Sequence, residues 1–247
     1  MSRRMIIAGD NRAEAVAAAE AAGFEVVRRD AEVVLSHGGD GTLLRSERMF
    51  PGVPKLPARL GRGARLCERH GLQAILERYR DGKLGREELD MLELSLGNAR
   101  FHALNDIVLR NDNPTLALRF KLLVDGASAG PDEITGDGIV VATPFGSTGY
   151  FHTITRQRID AGIGIAFNNC TRAPLEPLIV DSRAIIRVEV TRGPGVLVYD
   201  NDTRTITLRQ GHRFTVCRAE RRGLVHGLDA LACQLCQRYD AATFNPH

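Results

Sequence analysis

The chain has 247 residues, of which 43% are hydrophobic and 26% are charged, a composition typical of a globular protein with a substantial core. Its net charge of +3, without a run of lysines and arginines, does not indicate nucleic-acid binding. The apolar run after Arg4 is too short for a secretory signal, and no apolar stretch is long enough to span a membrane. We therefore expect a cytoplasmic protein of one large or two small domains, with neither nucleic acid nor membrane as a partner.

The N-terminal segment has the pattern of a parallel α/β unit. A buried strand over residues 5–9, an alanine-rich helix ending near Ala22, and short strands over residues 24–27 and 32–35 follow one another with short links. In parallel sheets of this kind, ligands bind at the carboxyl ends of the strands. The residues after the third strand are therefore the first place to look for a site.

That place is occupied by residues 38–42, which read Gly-Gly-Asp-Gly-Thr. A glycine-dense turn between a strand and a helix lets backbone N–H groups approach phosphate oxygens. A carboxylate is unfavourable beside a phosphate unless it binds a metal, takes a proton or holds a hydroxyl, so Asp40 is a candidate for chemistry. Taken alone, the stretch is equally consistent with an ordinary tight turn.

The segment after the turn is predicted to contain two helices separated by an irregular stretch. We expect helices over residues 43–50 and 72–79, the second from its i, i+3, i+4, i+7 apolar spacing. Between them, Pro54 and Pro57 would remove hydrogen-bond donors from a central strand, so residues 53–62 are predicted to form an edge strand or a loop. The polar link over residues 80–87 is the predicted domain boundary.

From about residue 88 the pattern changes to short alternating strands with turn signals. Leu92, Leu94 and Leu96 alternate, Asp125-Gly126 is a hairpin signal, and residues 186–190 alternate again. We therefore expect an α/β domain with a parallel sheet over residues 1–87, and an all-β, β-sandwich-like domain over residues 88–228. A helix over residues 229–240 is expected to pack back on the first domain and complete it.

The five cysteines are odd in number and irregularly spaced, which argues against a disulfide framework. Cys233 and Cys236 form a C-x-x-C pair without a second cysteine pair to complete a zinc site. We therefore predict no metal site, and metal or redox use of this pair is kept only as a minor alternative.

A second glycine-rich stretch lies in the β-rich half. Residues 136–150, Gly-Asp-Gly-Ile-Val-Val-Ala-Thr-Pro-Phe-Gly-Ser-Thr-Gly-Tyr, describe a strand that ends in a turn rich in N–H and hydroxyl donors. Together with the turn at residues 38–42 and the Asn105-Asp106 pair between them, this order and spacing resemble the NAD kinase family. Related lipid kinases share the first turn, whereas the long second motif is specific to NAD kinases. The resemblance covers roughly residues 31–215.

The resemblance implies a role for each matching residue. Asp40 would lie against the 2′-hydroxyl of the adenosine ribose of NAD and act as base or orienting group. Gly38, Gly39, Gly41 and Thr42 would form the phosphate cradle for ATP. The residues implied in NAD binding are Asn105, Asp106, Asp137, Phe145, Thr148, Gly149 and Tyr150.

The chain departs from the family pattern at several of these positions. Asp106 replaces a glutamate, Phe145 a small Thr or Ser, and Gly149 an alanine, and the family's G-G-P-I continuation after Tyr150 is absent. Each motif also has an ordinary structural interpretation. Asn105-Asp106 can be a polar strand end, and Ser147-Thr148 can cap a turn.

Two further polar groups were considered as ligands of phosphate or metal. Arg156 and Arg158 can reach phosphates, although exposed surface arginines are the commoner case. Asp200-Asn201-Asp202 stands where the family has an Asp-Gly-Gln turn; we predict an exposed hairpin turn there, with a cation site as the alternative.

The function predicted from the sequence is phosphorylation of NAD to NADP, with ATP or another phosphoryl donor and Mg²⁺. One alternative is a lipid or sugar kinase that shares the first turn. The other is a non-catalytic NAD(P)-binding sensor, suggested by the departures at Asp106 and Phe145. A homodimer or homotetramer is implied by the resemblance alone.

Overall fold

The computed structural model describes residues 3–60, 67–174 and 176–236. They divide into two compact units: unit 1 runs to Leu89 and resumes at Gly223, and unit 2 comprises Asp90–Arg222. The helices are α1 Arg12–Ala21, α2 Asp40–Met49, α3 Leu72–Arg80, α4 Tyr150–Thr155 and α5 Asp229–Ala232. The strands are β1 Arg4–Gly9, β2 Glu25–Val26, β3 Val33–His37, β4 Lys55–Ala58, β5 Arg86–Leu89, β6 Leu92–Leu96, β7 Ala99–Ala103, β8 Asp106–Asn111, β9 Leu118–Val124, β10 Ala127–Ser128, β11 Ile134–Gly136, β12 Gly138–Ala142, β13 Ile163–Asn168, β14 Leu178–Val180, β15 Ile186–Arg192, β16 Gly195–Tyr199, β17 Ile206–Leu208, β18 Arg213–Arg218 and β19 Gly223–His226.

Unit 1 is built on a six-stranded sheet in the order β2-β1-β3-β4-β19-β5. All pairings are parallel except that of β5 with β19. Apolar side chains of β1, β3 and β4 pack against α1 and α3, for example Leu35 and Leu56 with Ala15 and Ile75. The expected α/β domain with a parallel sheet is therefore confirmed.

The prediction of an edge strand or a loop for the segment with two prolines is wrong, because β4 lies in the interior of the sheet. The carbonyl of Pro54 accepts a hydrogen bond from the N–H of Val34 in β3 at 2.8 Å, and the carbonyl of Ala58 accepts from the N–H of Gly38, directly after β3, at 2.9 Å. Because successive residues of a strand direct their polar groups to opposite sides, Pro57 turns its nitrogen toward β19. There the register includes only Lys55, so the missing donor of Pro57 costs little. Gly61 and Arg62, which ended the predicted stretch, lie outside the described residues.

Unit 2 is a sandwich of two antiparallel sheets. One sheet has the order β10-β9-β15-β18-β6-β7, with β11 added to β9, and the other has the order β14-β13-β12-β8-β16-β17. One apolar core joins them, with Phe120 and Val188 from the first sheet packed with Leu109 and Val141 from the second. This confirms the expected β-sandwich-like domain.

The outer face of the second sheet is covered by α4. Phe151 of α4 is fully buried among Val108, Val140 and Ala166. This packing fixes α4, and with it the turn at residues 143–149, against the end of β12.

The limits of the two units differ by a few residues from the predicted boundaries at 87 and 228. Strand β19 belongs to unit 1 because it pairs with β4 and β5. Of the helix predicted over residues 229–240, the structure has α5 over Asp229–Ala232, and residues 237–240 lie outside the described part. No helix among the described residues is long and apolar enough to cross a membrane.

Candidate active site

The Gly-Gly-Asp-Gly-Thr turn forms the junction of β3 and α2 in unit 1. Helix α2 begins at Asp40, three residues earlier than predicted, and Gly39 is its extended N-cap residue with φ −92° and ψ −169°. The N–H groups of Asp40 and Gly41 lie in the first turn, where no residue of the helix can accept from them. The start of α2 therefore offers unpaired donors and the positive end of the helix dipole, as a phosphate site requires.

Two glycines allow the tight packing of this turn. A Cβ atom on Gly38 would lie 2.2 Å from Oγ1 of Thr42, and one on Gly9 would lie 2.0 Å from the carbonyl oxygen of His37. Gly9 also has a φ of 121°, which side chains of L residues rarely permit. Larger residues at either position would push α2 away from the end of β3.

The Asp40 side chain is exposed, and the described part of the chain gives it neither a hydrogen bond nor an ion pair. Gly39 and Gly41 on either side are also exposed. The carboxylate is therefore available to accept a proton or hold a hydroxyl, as the sequence predicts.

A basic cavity of about 540 Å³ lies beside the turn in unit 1. Arg12, Arg28 and Arg45 line it together with Gly9 and several apolar residues of β1 and α2, and the Arg12 guanidinium donates to the carbonyl of Ile7. Three arginines around one cavity favour an anionic ligand. These three arginines are far apart in the chain, so no local sequence pattern indicates that they line one cavity.

In unit 2, the Asn105-Asp106 pair is held by the carboxylate of Asp200. Asp200 is fully buried, and its carboxylate accepts hydrogen bonds from the backbone N–H groups of Leu104 at 2.6 Å, Asn105 at 2.7 Å and Asp106 at 3.3 Å. The backbone N–H of Asp200 donates to the carbonyl of Asp106 in return. The predicted hairpin turn is present between β16 and β17, and Asn201 is exposed in it. The prediction is wrong for Asp200, which is buried and whose carboxylate positions the pair.

Thr143 joins the same segment to the second motif. Its hydroxyl donates to the carbonyl of Leu104 at 2.7 Å and accepts from the N–H of Gly146 at 2.9 Å. Its own N–H donates to the carbonyl of Asn105 at 2.9 Å. The turn after β12 and the start of β8 thus form one rigid unit, which the sequence placed in two separate motifs.

Gly146 is required where these two segments meet. A Cβ atom there would lie 2.0 Å from the carbonyl oxygen of Asn105. At Gly149 the nearest atoms to an added Cβ would be the carbonyl oxygen of Gly146 at 3.4 Å and Nδ2 of Asn105 at 3.8 Å, so the alanine of the family fits.

The Asn105 side chain carries an unused acceptor. Its Oδ1 atom is buried and has no hydrogen-bond partner within the described part of the chain. A buried acceptor without a partner costs roughly 1–3 kcal/mol, which a ligand donor such as an amino group or a ribose hydroxyl can recover. This atom makes Asn105 a candidate ligand-binding residue.

Asp106 is buried at the start of β8. Burial, reinforced by the nearby charge of Asp200, raises the pKa of Asp106 to about 7. A glutamate would reach one methylene further from this strand end. With its pKa near 7, the shorter Asp106 carboxyl group is partly protonated near neutral pH.

Asp137 lies at the other end of β12 from Asn105. Its carboxylate accepts hydrogen bonds from the side-chain amides of Asn169 at 3.0 Å and Asn111 at 3.4 Å. In the register of the sheet, Gly138 is opposite Arg110 whereas Ala142 is opposite Asp106, so the length of β12, roughly 15 Å, separates the two groups. The structure does not bring Asp137 together with Asn105 and Asp106.

The remaining residues of the second motif divide into structural and exposed groups. Ser147 is buried, donates to the carbonyl of Pro144 at 2.7 Å and accepts from the N–H of Ile159 at 3.1 Å, so its hydroxyl serves the turn. Thr148 is exposed and donates to the carbonyl of Phe145 at 3.2 Å. Phe145 is half-buried, and Tyr150 is exposed at the start of α4. Phe145 and Tyr150 thus leave aromatic surface near Asn105 on which a base can stack.

The two arginines after α4, Arg156 and Arg158, are both exposed. Arg156 has a φ of 60° and ends the helix. Among the described residues of unit 2, no hydrogen bond or ion pair directs either guanidinium toward the Asn105 segment.

Comparison with known proteins places these motifs in a family. Residues 104–225 match the model of the ATP-NAD kinase C-terminal domain. The chain is 31% identical to the NAD kinase of Sulfurisphaera tokodaii over 183 residues, which are 70% of this chain and 69% of that protein. It is 29% identical to the NAD kinase of Methanothermobacter thermautotrophicus over 179 residues, 69% of this chain and 62% of that protein. The chain thus spans about two thirds of the length of these curated relatives.

Solved structures with the same fold include an NAD kinase from Archaeoglobus fulgidus in complex with ATP. It superposes with a TM-score of 0.75 at 19% identity, over 97% of this chain and 99% of that chain. The yeast NADH kinase complexed with NADH superposes with a TM-score of 0.79 at 17% identity, over 100% of this chain and 89% of that chain. Taken with the sequence matches, these findings establish that the chain belongs to the NAD kinase family.

Proposed function

We propose that this protein phosphorylates NAD at the 2′-hydroxyl of the adenosine ribose to form NADP. The observation that carries the proposal is the exposed Asp40 carboxylate at the start of α2, in the turn that the sequence shares with the family. The matches to curated NAD kinases support the choice of substrate.

In the reaction, the 2′-oxygen forms a bond to the γ-phosphorus of the donor, and the bond from that phosphorus to the β-γ bridging oxygen breaks. Asp40 orients the hydroxyl and accepts its proton, while the charge of the released diphosphate remains on its oxygens. The unpaired N–H groups at the start of α2 stabilise the negative charge on the phosphates. Gly38, Gly39, Gly41 and Thr42 supply this cradle.

ATP is the proposed donor, and Mg²⁺ is the proposed cofactor. The turn contains one carboxylate, a donor set that fits a metal bound mainly by nucleotide phosphates and water, as Mg²⁺ prefers, and not one enclosed by protein ligands. The metal would neutralise charge on the transferred group when it is bound with the nucleotide. The likeness to an archaeal NAD kinase in complex with ATP supports ATP as the donor.

Unit 2 supplies the proposed NAD-binding residues. The buried Oδ1 of Asn105 accepts from the adenosine, Asp106 accepts from a ribose hydroxyl, and Tyr150 and Phe145 offer stacking surface. Thr148 and Gly149 lie on the same turn. Asp137 would meet the nicotinamide end, and its separation from Asn105 along β12 suits an extended dinucleotide.

We further propose that the protein acts in the cytoplasm and as a homodimer or homotetramer. The absence of a membrane-spanning helix among the described residues is compatible with this location. Size-exclusion chromatography with light scattering would give the oligomeric state.

The test is NADP formation by purified protein given NAD, ATP and Mg²⁺, with NADH, a diacylglycerol and a hexose offered in parallel as acceptors. We expect phosphorylation of the dinucleotide and none of the lipid or the sugar. Phosphorylation of the lipid or sugar instead would show that only the first turn is functionally related. Saturable NAD binding without turnover, with either ATP or polyphosphate as donor, would identify a sensor and contradict the proposal.

A further inference from the structure

Four potential metal ligands, none of them part of the Gly-Gly-Asp-Gly-Thr turn, meet in unit 1. Sγ of Cys67, Cys233 and Cys236 and a ring nitrogen of His70 all lie within 4.8 Å of one another. Cys67, His70 and Cys236 are buried, and Cys233 is half-buried. Thiolates and a neutral imidazole are the ligands that zinc prefers in structural sites.

The distances within the cluster suit a tetrahedral metal. Nδ1 of His70 lies 3.4 Å from Sγ of Cys67 and 3.6 Å from Sγ of Cys236. Zinc bonds of about 2.3 Å to sulfur and about 2.05 Å to nitrogen place those atoms about 3.6 Å apart in a tetrahedron. Both sulfur atoms are therefore already at the separation from Nδ1 that a shared zinc ion would impose.

The other nitrogen of His70 is oriented by a carboxylate. Nε2 of His70 lies 3.2 Å from Oδ2 of Asp229, which is also within 3.5 Å of a guanidinium nitrogen of Arg78. A carboxylate that accepts from one ring nitrogen of a metal-bound histidine fixes the tautomer in which the other nitrogen is free to bind the metal. Asp229 thus directs the lone pair of Nδ1 toward the three sulfur atoms.

The chain pattern is Cys-x-x-His followed, far along the sequence, by Cys-x-x-Cys. Pairs of ligands with two residues between them are typical of structural zinc sites, and Cys₃His is one of their usual ligand sets. A disulfide between Cys233 and Cys236 would account for neither Cys67 nor the orientation of His70. Three thiolates and one imidazole leave no open coordination position, so the site is structural and not catalytic.

We propose that Cys67, His70, Cys233 and Cys236 bind one structural Zn²⁺ ion. The ion joins the segment before α3 to the segment around α5, which are separated by more than 150 residues in the chain. Unit 1 is made of two stretches of chain, and this crosslink holds the second stretch to the first. The proposal is independent of the kinase reaction, and its tests do not use activity.

The first test is the metal content of the full-length protein purified from zinc-supplemented cells. We expect about one zinc per chain by plasma mass spectrometry. After removal of the metal and anaerobic addition of Co²⁺, we expect the intense visible bands of a tetrahedral site and a thiolate-to-cobalt charge-transfer band. The Cys67→Ser and Cys236→Ser variants should lose at least nine tenths of the bound zinc. Cys217→Ser, whose thiol lies in unit 2, should retain it.

A second test does not depend on variants that fold poorly. In the wild-type protein, zinc removal by a strong chelator should lower the melting temperature by several degrees, and zinc should restore it. Asp229→Asn should weaken zinc binding by roughly 10- to 100-fold in competition with a chromophoric chelator, and Asp229→Glu should restore part of it.

Three results would overturn the proposal. The first is a wild-type protein without zinc that, once reduced, gives no tetrahedral cobalt spectrum. The second is a spectrum with iron and acid-labile sulfide, which would identify an iron–sulfur cluster instead. The third is equal zinc loss in Cys217→Ser and the cluster variants, which would place the metal elsewhere.

Discussion

Two aspartates of this protein, Asp40 and Asp200, have opposite environments. Asp40 in unit 1 is exposed, lies between two exposed glycines and has no partner in the described part of the chain. Asp200 in unit 2 is fully buried, and its carboxylate accepts from three consecutive backbone N–H groups. The same residue type holds backbone N–H groups in one place and is proposed to take part in chemistry in the other.

The difference matches the proposed roles, with a catalytic residue in unit 1 and dinucleotide-binding residues in unit 2. A group that must accept a proton is left free and accessible, whereas the residues that must recognise a dinucleotide are held by a buried network. The Asn105 segment is fixed by Asp200 from one side and by Thr143 from the other. Removing Asp200 should therefore affect structure, and removing Asp40 should affect turnover.

The largest structural effect is expected from Asp200→Ala. Three buried N–H groups lose their acceptor, and each orphaned donor costs about 1–3 kcal/mol, so the free energy of unfolding should fall by at least about 3 kcal/mol. At about 2–4 °C per kcal/mol for a protein of this size, the melting temperature should fall by roughly 6–12 °C. NAD affinity should fall as well, because Asn105 is released.

The matched control is Asp112→Ala, an exposed aspartate in the same unit. Its melting temperature should stay within about 2 °C of the wild type, since exposed substitutions change stability by less than about 0.5 kcal/mol. Equal melting of both variants and the wild type would refute the structural role of Asp200.

A second prediction concerns Asp106, whose pKa is raised to about 7 in the folded protein. The folded state binds the Asp106 proton more tightly than the unfolded state does. The contribution of this proton to the free energy of unfolding is therefore complete below the unfolded pKa of about 4 and is lost as the pH rises through 7. In Asp106→Asn this loss is absent. The variant should therefore gain stability relative to the wild type between pH 4 and 7, by no more than about 4 kcal/mol, and the gain should be constant above that range.

Urea unfolding of both proteins at several pH values checks this prediction. The sign matters more than the size, because rearrangement around Asp106 reduces the full linkage value. A stability difference that does not change between pH 4 and 8 would mean that Asp106 titrates normally.

The smallest predicted changes in stability are those of alanine substitutions at two glycines of the same turn, which should differ from each other. Gly146→Ala places a methyl group against the backbone of Asn105, so we expect a loss of about 1–3 kcal/mol in stability and weaker NAD binding. Gly149→Ala meets only ordinary contacts and should change stability by less than about 1 kcal/mol. Thermal unfolding and NAD titration of both variants give the comparison, and a larger effect at Gly149 would contradict it.

Local patterns in the sequence were sufficient to predict most of the architecture. The two fold classes, the Asp125-Gly126 hairpin and helix α3 all follow from periodicity and turn chemistry, and the structure confirms them. The prediction failed where a tertiary partner decided the outcome. Pro57 is tolerated in an interior strand because β19, from the far end of the chain, pairs with β4 only at Lys55 and requires no hydrogen-bond donor from Pro57.

The positioning residues and the cysteine cluster were missed for a similar reason. Asp200 is a turn residue, as its sequence indicates, but its buried carboxylate binds Leu104, Asn105 and Asp106, which lie about a hundred residues away in the chain. Cys233 and Cys236 have no second cysteine pair in the sequence, and the second pair of ligands is Cys67 with a histidine, His70. The x-x spacing of Cys67 and His70 was the signal that could have indicated the cluster.

The role of Asp40 in the chemical step is tested by comparing wild type and Asp40→Asn for NAD binding and for NADP formation in a single turnover. We predict that Asp40→Asn binds NAD within about threefold of wild type but forms NADP at least ~10²- to 10⁴-fold more slowly, as expected for the loss of a positioned base. Asp30→Asn, an exposed aspartate of unit 1 in a conformation that asparagine tolerates, should match the wild type in both. Turnover by Asp40→Asn within a few-fold of wild type would contradict the assignment of Asp40 to the chemical step.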